Sequence, residues 1–110
     1  FWCRSDWVKA RVSLFGRAEF NNATMVGAVL NDAEYDDADF TSANLTGARF
    51  VSSLLQAVKF HNTKMVDAVL NQAECDGADF SGADLTKANL IDANLTNAVV
   101  DIGSLCEAIR

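Results

Sequence analysis

An apolar residue recurs at every fifth position of this chain from Phe15 to Leu105, and a small residue precedes nearly every one of them by two places. Nineteen such units follow one another without a gap, and alanine fills 14 of the 19 small positions. An α-helix rotates by about 100° per residue, so a step of five would scatter these side chains around its axis. A straight strand would send successive large residues to opposite faces. The period therefore excludes both a single helix and a straight strand.

Within one unit the small and the large residue lie two apart, so they share one face of a short strand. The next small residue lies three places further on, and it points inward only if the chain turns a corner. Four such sides close a coil of twenty residues, and successive coils then stack by strand pairing at about 4.8 Å. The sequence predicts an all-β coil whose interior is filled by the two repeated positions.

A twenty-residue coil predicts which side chains stack on one another. The most regular column holds Phe20, Phe40, Phe60 and Phe80, and like side chains pack well in successive layers of a repeat protein. Residues 20–50 also match residues 60–90 at 18 of 31 positions, which indicates a duplication of two whole coils. The other columns are Met25, Leu45, Met65, Leu85 and Leu105; Leu30, Phe50, Leu70 and Leu90; and Phe15, Tyr35, Leu55, Cys75 and Leu95.

The repeat resembles the A-(D/N)-L-x-x unit of the pentapeptide-repeat family, in quintets such as ADFTS at 38–42, ANLTG at 43–47, ADLTK at 83–87 and ANLTN at 93–97. The resemblance implies a right-handed quadrilateral β-helix, and the length predicts just under five coils. Ser53, Val58 and Thr63 depart from the consensus, so we expect a looser but unbroken coil there. We expect an N-terminal cap at 1–12, where Trp2 and Trp7 plug the core, a solenoid at 13–107, and a short C-terminal end at 108–110.

A rod filled by its own side chains has no cleft in which catalytic groups could converge. His61 is the only histidine and lies at an outward position, the cysteine and histidine spacing matches no metal site, and there is no glycine-rich phosphate loop. We therefore predict a non-enzymatic protein without cofactor or metal. Cys75 belongs to an interior column, whereas Cys3 and Cys106 lie near opposite ends of the rod and are too far apart to pair with each other. We expect free thiols, and the alternative is a disulfide from Cys3 or Cys106 to a partner protein or to residues outside this chain.

Two outward surfaces are candidates for function. Apolar side chains form a zigzag along the third side and the corner before it, at Val26, Val29, Val51, Val66, Val69 and Ile91. An exposed apolar patch that persists in register suggests a protein-docking surface, although β-branched residues also simply suit strands. The fourth side and the corner after it are acidic, with Glu34, Asp36, Asp37 and Asp39 recurring as Glu74, Asp76 and Asp79.

These surfaces predict a structural or adaptor module that docks on a larger protein assembly. The formal net charge of −6 argues against direct binding of nucleic acid, and no run of 18 apolar residues could span a membrane. By resemblance to cyanobacterial and plastid members of the family, the expected setting is the thylakoid lumen with a role in photosynthesis, and the cytoplasm is the alternative. The alternative function is inhibition of a type II topoisomerase by DNA mimicry.

Overall fold

The computed structural model describes residues 16–109 of the 110-residue chain, and its strand pairing consists of single-residue parallel bridges between positions twenty apart. The bridges form four columns, here called sides 1 to 4: Glu19–Asp39–Lys59–Asp79–Val99, Thr24–Asn44–Lys64–Asp84, Val29–Arg49–Val69–Asn89–Ile109, and Glu34–Leu54–Glu74–Asn94. A repeat of five residues with pairing every twenty gives a four-sided β-helix, as the sequence predicts. The expected N-terminal cap, with Trp2 and Trp7, lies outside the described residues.

Each corner of the coil is a tight turn with one residue in the left-handed region. At the first complete example the N–H of Ala23 donates to the Phe20 carbonyl at 3.0 Å, and Asn22 between them has φ of 60°. This hydrogen bond, with positive φ at the third residue, is typical of a type II turn. The same φ recurs every five residues from Arg17 to Asn97, mostly at glycine, asparagine and aspartate, which tolerate it best.

The phenylalanine column fills the interior as the register predicts. Phe20 stacks on Phe40 with ring centroids 4.8 Å apart, and Phe60 stacks on Phe80 at 4.9 Å. Phe50, from the opposite side of the coil, meets both Phe40 and Phe60 edge to face. The alanines at the small positions from Ala23 to Ala88 are also buried, so each quintet contributes two side chains to one continuous core.

The coil that departs from the consensus is looser at its corners but intact. Ser53, Val58 and Thr63 are fully buried at the small positions, and the turn hydrogen bonds that their N–H groups donate measure 3.2, 3.3 and 3.2 Å. The equivalent bonds at alanine positions measure 2.8–3.1 Å. The buried hydroxyls are satisfied, because Ser53 Oγ donates to the Leu30 carbonyl at 2.8 Å and Thr63 Oγ1 to the Phe60 carbonyl at 2.7 Å.

Within residues 16–109 one helix, α1 (Ile102–Cys106), interrupts the repeat. The five-residue pattern predicts a solenoid through residue 107, but it places Ile102 at the left-handed turn position, which a β-branched residue avoids. At α1, side chains make the hydrogen bonds to the preceding coil that backbone groups make elsewhere. Asp101 Oδ2 accepts from the Gly82 N–H at 3.1 Å, and Ser104 Oγ donates to the Ala83 carbonyl at 2.9 Å. Leu105 still packs against the core, although from a helical turn.

Candidate protein-docking surface

The apolar zigzag that the sequence places on the third side lies on side 3 and the two corners that flank it. We call this surface the valine face; its members are Val26, Val29, Val51, Val66, Val69 and Ile91. Val29 and Val69 belong to the bridge column and are separated by Arg49. Backbone hydrogen bonds between corners put Thr46 between Val26 and Val66, and Asn71 between Val51 and Ile91. Apolar residues therefore occupy every second coil in each of three adjacent columns.

Exposure is uneven across the valine face. Val26 and Ile91 are 44% and 41% exposed, whereas Val29, Val51, Val66 and Val69 are half-buried between neighbouring side chains. Ile109 is 49% exposed and extends the same bridge column beyond Asn89, although sequence reasoning did not include it. Its position, twenty residues after Asn89 and forty after Val69, was the signal that would have found it. The valine face therefore runs the length of the described rod.

Asparagine side chains hold the corners of the valine face in place. Asn31 Oδ1 accepts from the Val51 N–H at 2.8 Å, and Asn89 Oδ1 accepts from the Ile91 N–H at 3.1 Å. Asn71 Nδ2 also donates to Asn89 Oδ1 at 3.2 Å. Because these amides are engaged with the protein, they fix the backbone that presents Val51 and Ile91. Apolar and polar side chains therefore alternate on this surface at positions that the backbone fixes.

The acidic residues form a second surface, here called the acidic stripe, across side 4, the corner after it and side 1. Its members are Glu34, Asp36, Asp37, Asp39, Glu74, Asp76 and Asp79. The bridge columns bring Glu34 and Glu74 to either side of Leu54, and Asp39 and Asp79 to either side of Lys59. Within the acidic stripe, acid therefore occurs in alternate coils, with apolar, amide or basic side chains between. Outside the stripe, Glu19 pairs with Asp39 on side 1.

Hydrogen bonds from neighbouring hydroxyls lower the pKa of several carboxyl groups. Partial burial alone would raise the pKa of Asp39, but hydrogen bonds from Thr41 and Asn21 and the charge of Lys59 together bring it below the usual value. The hydroxyl and N–H of Ser81 lower the pKa of Asp79, and those of Thr86 lower the pKa of Asp84. Asn44 and Asn94 accept the same pair of bonds without a charge, from Thr46 and Thr96. The Asp/Asn-x-Ser/Thr motif is thus part of the coil structure.

Other candidate reactive groups stand apart from one another. His61 is exposed on the corner after side 1, and within residues 16–109 no three histidine, cysteine, aspartate or glutamate side chains group in a way that could hold a metal ion. Cys75 is buried in its interior column, where burial and the nearby Glu74 raise the pKa of its thiol to about 12. Cys106 is an exposed free thiol, and Cys3 lies outside the described part of the chain. None of the helices described in residues 16–109 has the length and hydropathy needed to cross a membrane.

Comparison with known sequences identifies the repeat. A family profile described as pentapeptide repeats matches residues 36–72 and 64–100, with eight copies. No curated protein sequence is significantly similar to this chain.

Three solved structures are similar to this chain, and the first two share its fold. A pentapeptide repeat protein, Rfr23, from the cyanobacterium Cyanothece 51142 is 20% identical, with 93% of this chain and 84% of that chain covered at a TM-score of 0.61. QnrB1, a plasmid-mediated fluoroquinolone resistance protein, is 22% identical over 88% of this chain and 61% of its own, at a TM-score of 0.68. A pentapeptide repeat protein from the Arabidopsis thaliana thylakoid lumen is 26% identical over 84% of this chain and 58% of that chain, at a TM-score of 0.38. The chain thus spans most of the first structure and about three fifths of the other two.

Proposed function

This chain belongs to the pentapeptide-repeat family, whose fold is a right-handed quadrilateral β-helix, and on that premise we propose that it is a non-enzymatic adaptor that binds a protein through its valine face. Proteins of this family are generally structural or interaction modules. The rod contributes a fixed spacing of side chains on each flat side, which is the property that an adaptor needs.

The observation that carries the proposal is the register of exposed apolar residues on side 3. Val26 and Ile91 are exposed on corners whose backbone is held by the ladder and by asparagine side chains. Among the described residues, Arg49 is the only charged member of the side 3 bridge column, so a partner could cover this column without burying many charges. Apolar patches of this kind mark interaction sites more often than scattered single residues do.

We further propose that the rod comprises just under five coils and that its regular repeat ends where α1 begins. Binding through the valine face makes the chain part of a larger assembly, and the chain makes no direct contact with nucleic acid. The family resemblance alone supports a lumenal setting next to a photosynthetic membrane complex, with the cytoplasm as the alternative.

The acidic stripe favours a second candidate, inhibition of a type II topoisomerase by DNA mimicry. Glu34 and Glu74 recur two coils apart on one side, as negative charges recur along a duplex. The stripe is interrupted by Leu54, Gln56 and Lys59, so the adaptor function is the better supported of the two. Competition with DNA for gyrase tests the alternative: the chain should compete, and Glu34→Lys with Glu74→Lys should weaken the competition. No competition at any concentration rejects it.

Affinity purification from native extract tests the adaptor function. The chain is used as bait in its natural form, with Val26→Asp/Ile91→Asp as the test variant. Val99→Asp on side 1 is the matched control, because Val99 is more exposed, at 55%, and lies away from the valine face. We expect the partner to be lost with the test variant and retained with the control, while both keep the β circular dichroism of the native chain. Equal recovery with all three baits would contradict the proposal.

A further inference from the structure

We propose that the partner on the valine face is a second copy of this chain, bound antiparallel about a two-fold axis that runs along the side 3 strand at Val69. This inference rests on the proposed function, because it names the partner of the same surface. It follows from the order in which the columns of side 3 present apolar and polar residues.

The spacing of the valine face limits which structures can match it. Apolar residues recur at every second coil, which is about 9.6 Å along the rod at the usual strand separation. A partner helix repeats at about 5.4 Å per turn, and a strand lying along the rod repeats at about 6.6 Å on one face. Neither period matches the spacing over the length of the described rod. A second stack of coils with the same alternation matches it at every layer.

A two-fold axis along the side 3 strand pairs the columns with themselves in reverse order. The axis passes between Val69 and Val69 of the second copy. Val51 then faces Ile91, and Val29 faces Ile109, in each case twice by symmetry. In this arrangement every apolar residue of the bridge column meets an apolar residue.

The polar positions also agree with the antiparallel arrangement. Arg49 faces Asn89, whose side chain carries no charge, and Thr46 faces Thr86. In the parallel arrangement, with the axis along the rod, Arg49 would face Arg49, and like charges opposite each other are unfavourable. Val51 would also face Thr46 in place of Ile91. Side 3 therefore favours one of the two symmetric arrangements.

Charge and area agree with a reversible dimer. Within residues 16–109 the side 3 bridge column carries one charged residue, Arg49, whereas the side 1 column carries Glu19, Asp39, Lys59 and Asp79. The acidic sides would therefore repel a second copy. The rod measures 33 × 20 × 19 Å, so one flat side covers about 650 Å² against the roughly 800 Å² per partner of a standard interface. An interface of this size gives a dimer that dissociates on dilution.

The test is analytical ultracentrifugation of the purified chain over a series of concentrations. The same measurement is made on variants that first introduce a charge into the interface and then add its opposite charge. The native chain should shift from monomer to dimer as concentration rises, and Val51→Asp should raise the dissociation constant at least tenfold. Val51→Asp/Ile91→Lys should restore the dimer, because each new carboxylate faces a new ammonium across the antiparallel interface. Val99→Asp, the control on side 1, should leave the dissociation constant unchanged.

Chemical cross-linking gives an independent readout of the symmetry. In a background in which Cys3 and Cys106 are replaced by serine, Val69→Cys should be joined to itself by a short bismaleimide, whereas Val99→Cys should not.

A chain that stays monomeric at all concentrations, or a dimer that Val51→Asp leaves intact, would overturn the inference. If the chain is monomeric and the Val26→Asp/Ile91→Asp bait still loses a different protein, the second-copy inference fails and the adaptor function stands. If the chain is monomeric and all baits recover the same proteins, both fail.

Discussion

The ring of Phe60 lies flat on the ring of Phe40, with 5.4 Å between centroids and an interplanar angle of 13°. Both rings are fully buried, and each comes from a different coil, twenty residues apart. The stack therefore ties the register of one coil to the next from the inside, while the parallel bridges do so at the surface. The alignment of the valine face depends on both.

Removal of one ring from this stack should strongly destabilise the rod. We expect Phe60→Ala to reduce the free energy of unfolding by about 3–5 kcal/mol, because it opens a cavity between two stacked neighbours. Phe60→Leu should cost less, since leucine already occupies this level of other columns. Urea unfolding followed by circular dichroism measures both. A loss below about 1 kcal/mol for Phe60→Ala would show that the stack does not hold the coils together.

Replacement of Ala57 by glycine should stabilise the folded chain. It has φ of 56° at a turn position where alanine is strained, since a left-handed residue with a Cβ costs about 1–2 kcal/mol. Glycine removes the strain but adds freedom to the unfolded chain, so we expect Ala57→Gly to gain about 0.5–1 kcal/mol. Thermal unfolding of Ala57→Gly and of Gly77→Ala, the reverse change at the equivalent corner one coil on, measures the effect. Two changes of the same sign would contradict the prediction.

Gly82 should tolerate alanine less well than Gly77 does. Both have positive φ, at 70° and 73°, but a Cβ on Gly82 would lie 2.2 Å from Asn62 Oδ1, whereas at Gly77 the nearest atom is Ala57 N at 4.0 Å. Both variants pay for the left-handed backbone, and only Gly82→Ala also displaces the amide. We expect Gly82→Ala to cost about 1 kcal/mol more. A double-mutant cycle with Asn62→Ala should remove that difference; an unchanged difference would exclude the amide as its cause.

Acid should destabilise the rod through Asp79 and Asp84. Hydrogen bonds from Ser81 and Thr86 lower the folded pKa of these groups, and the unfolded value is about 3.9. Their contribution is therefore present above about pH 4 and is lost as pH falls through the folded pKa. Asp79→Asn/Asp84→Asn keeps the acceptor oxygen, as Asn44 and Asn94 do, and should lose less stability than the native chain between neutral pH and about pH 2.5. Urea midpoints measured at both pH values test this, and equal losses would contradict it.

The period of five predicted the coil, the columns and the interior, because two positions in each quintet must be buried whatever the others hold. It did not predict α1, because Gly103 and Leu105 satisfy the small and large positions of a further quintet. The deciding residue was Ile102, which falls at the turn position that needs positive φ. The sequence shows the preference for glycine, asparagine and aspartate at that position, but only the structure shows that the position has positive φ, which explains the preference.

Surface function was less accessible to sequence reasoning. The register placed Val26 and Ile91 on the two corners that flank side 3, but it treated all six valine-face residues alike. Their exposure depends on neighbours in the coils above and below, as the half-buried Val51 and Val69 show. Which surface binds a partner depends on the partner as well, and a single sequence contains only one half of that interaction.

The separation of inward and outward positions has an evolutionary consequence. Since alanine and one large residue per quintet maintain the coil, the bridge positions accept varied residues, such as Lys59 and Lys64 where other coils have aspartate or asparagine. Natural selection can therefore alter the exterior one residue at a time while the chain keeps its shape. A lineage of such rods would acquire new recognition properties faster than it lost its architecture.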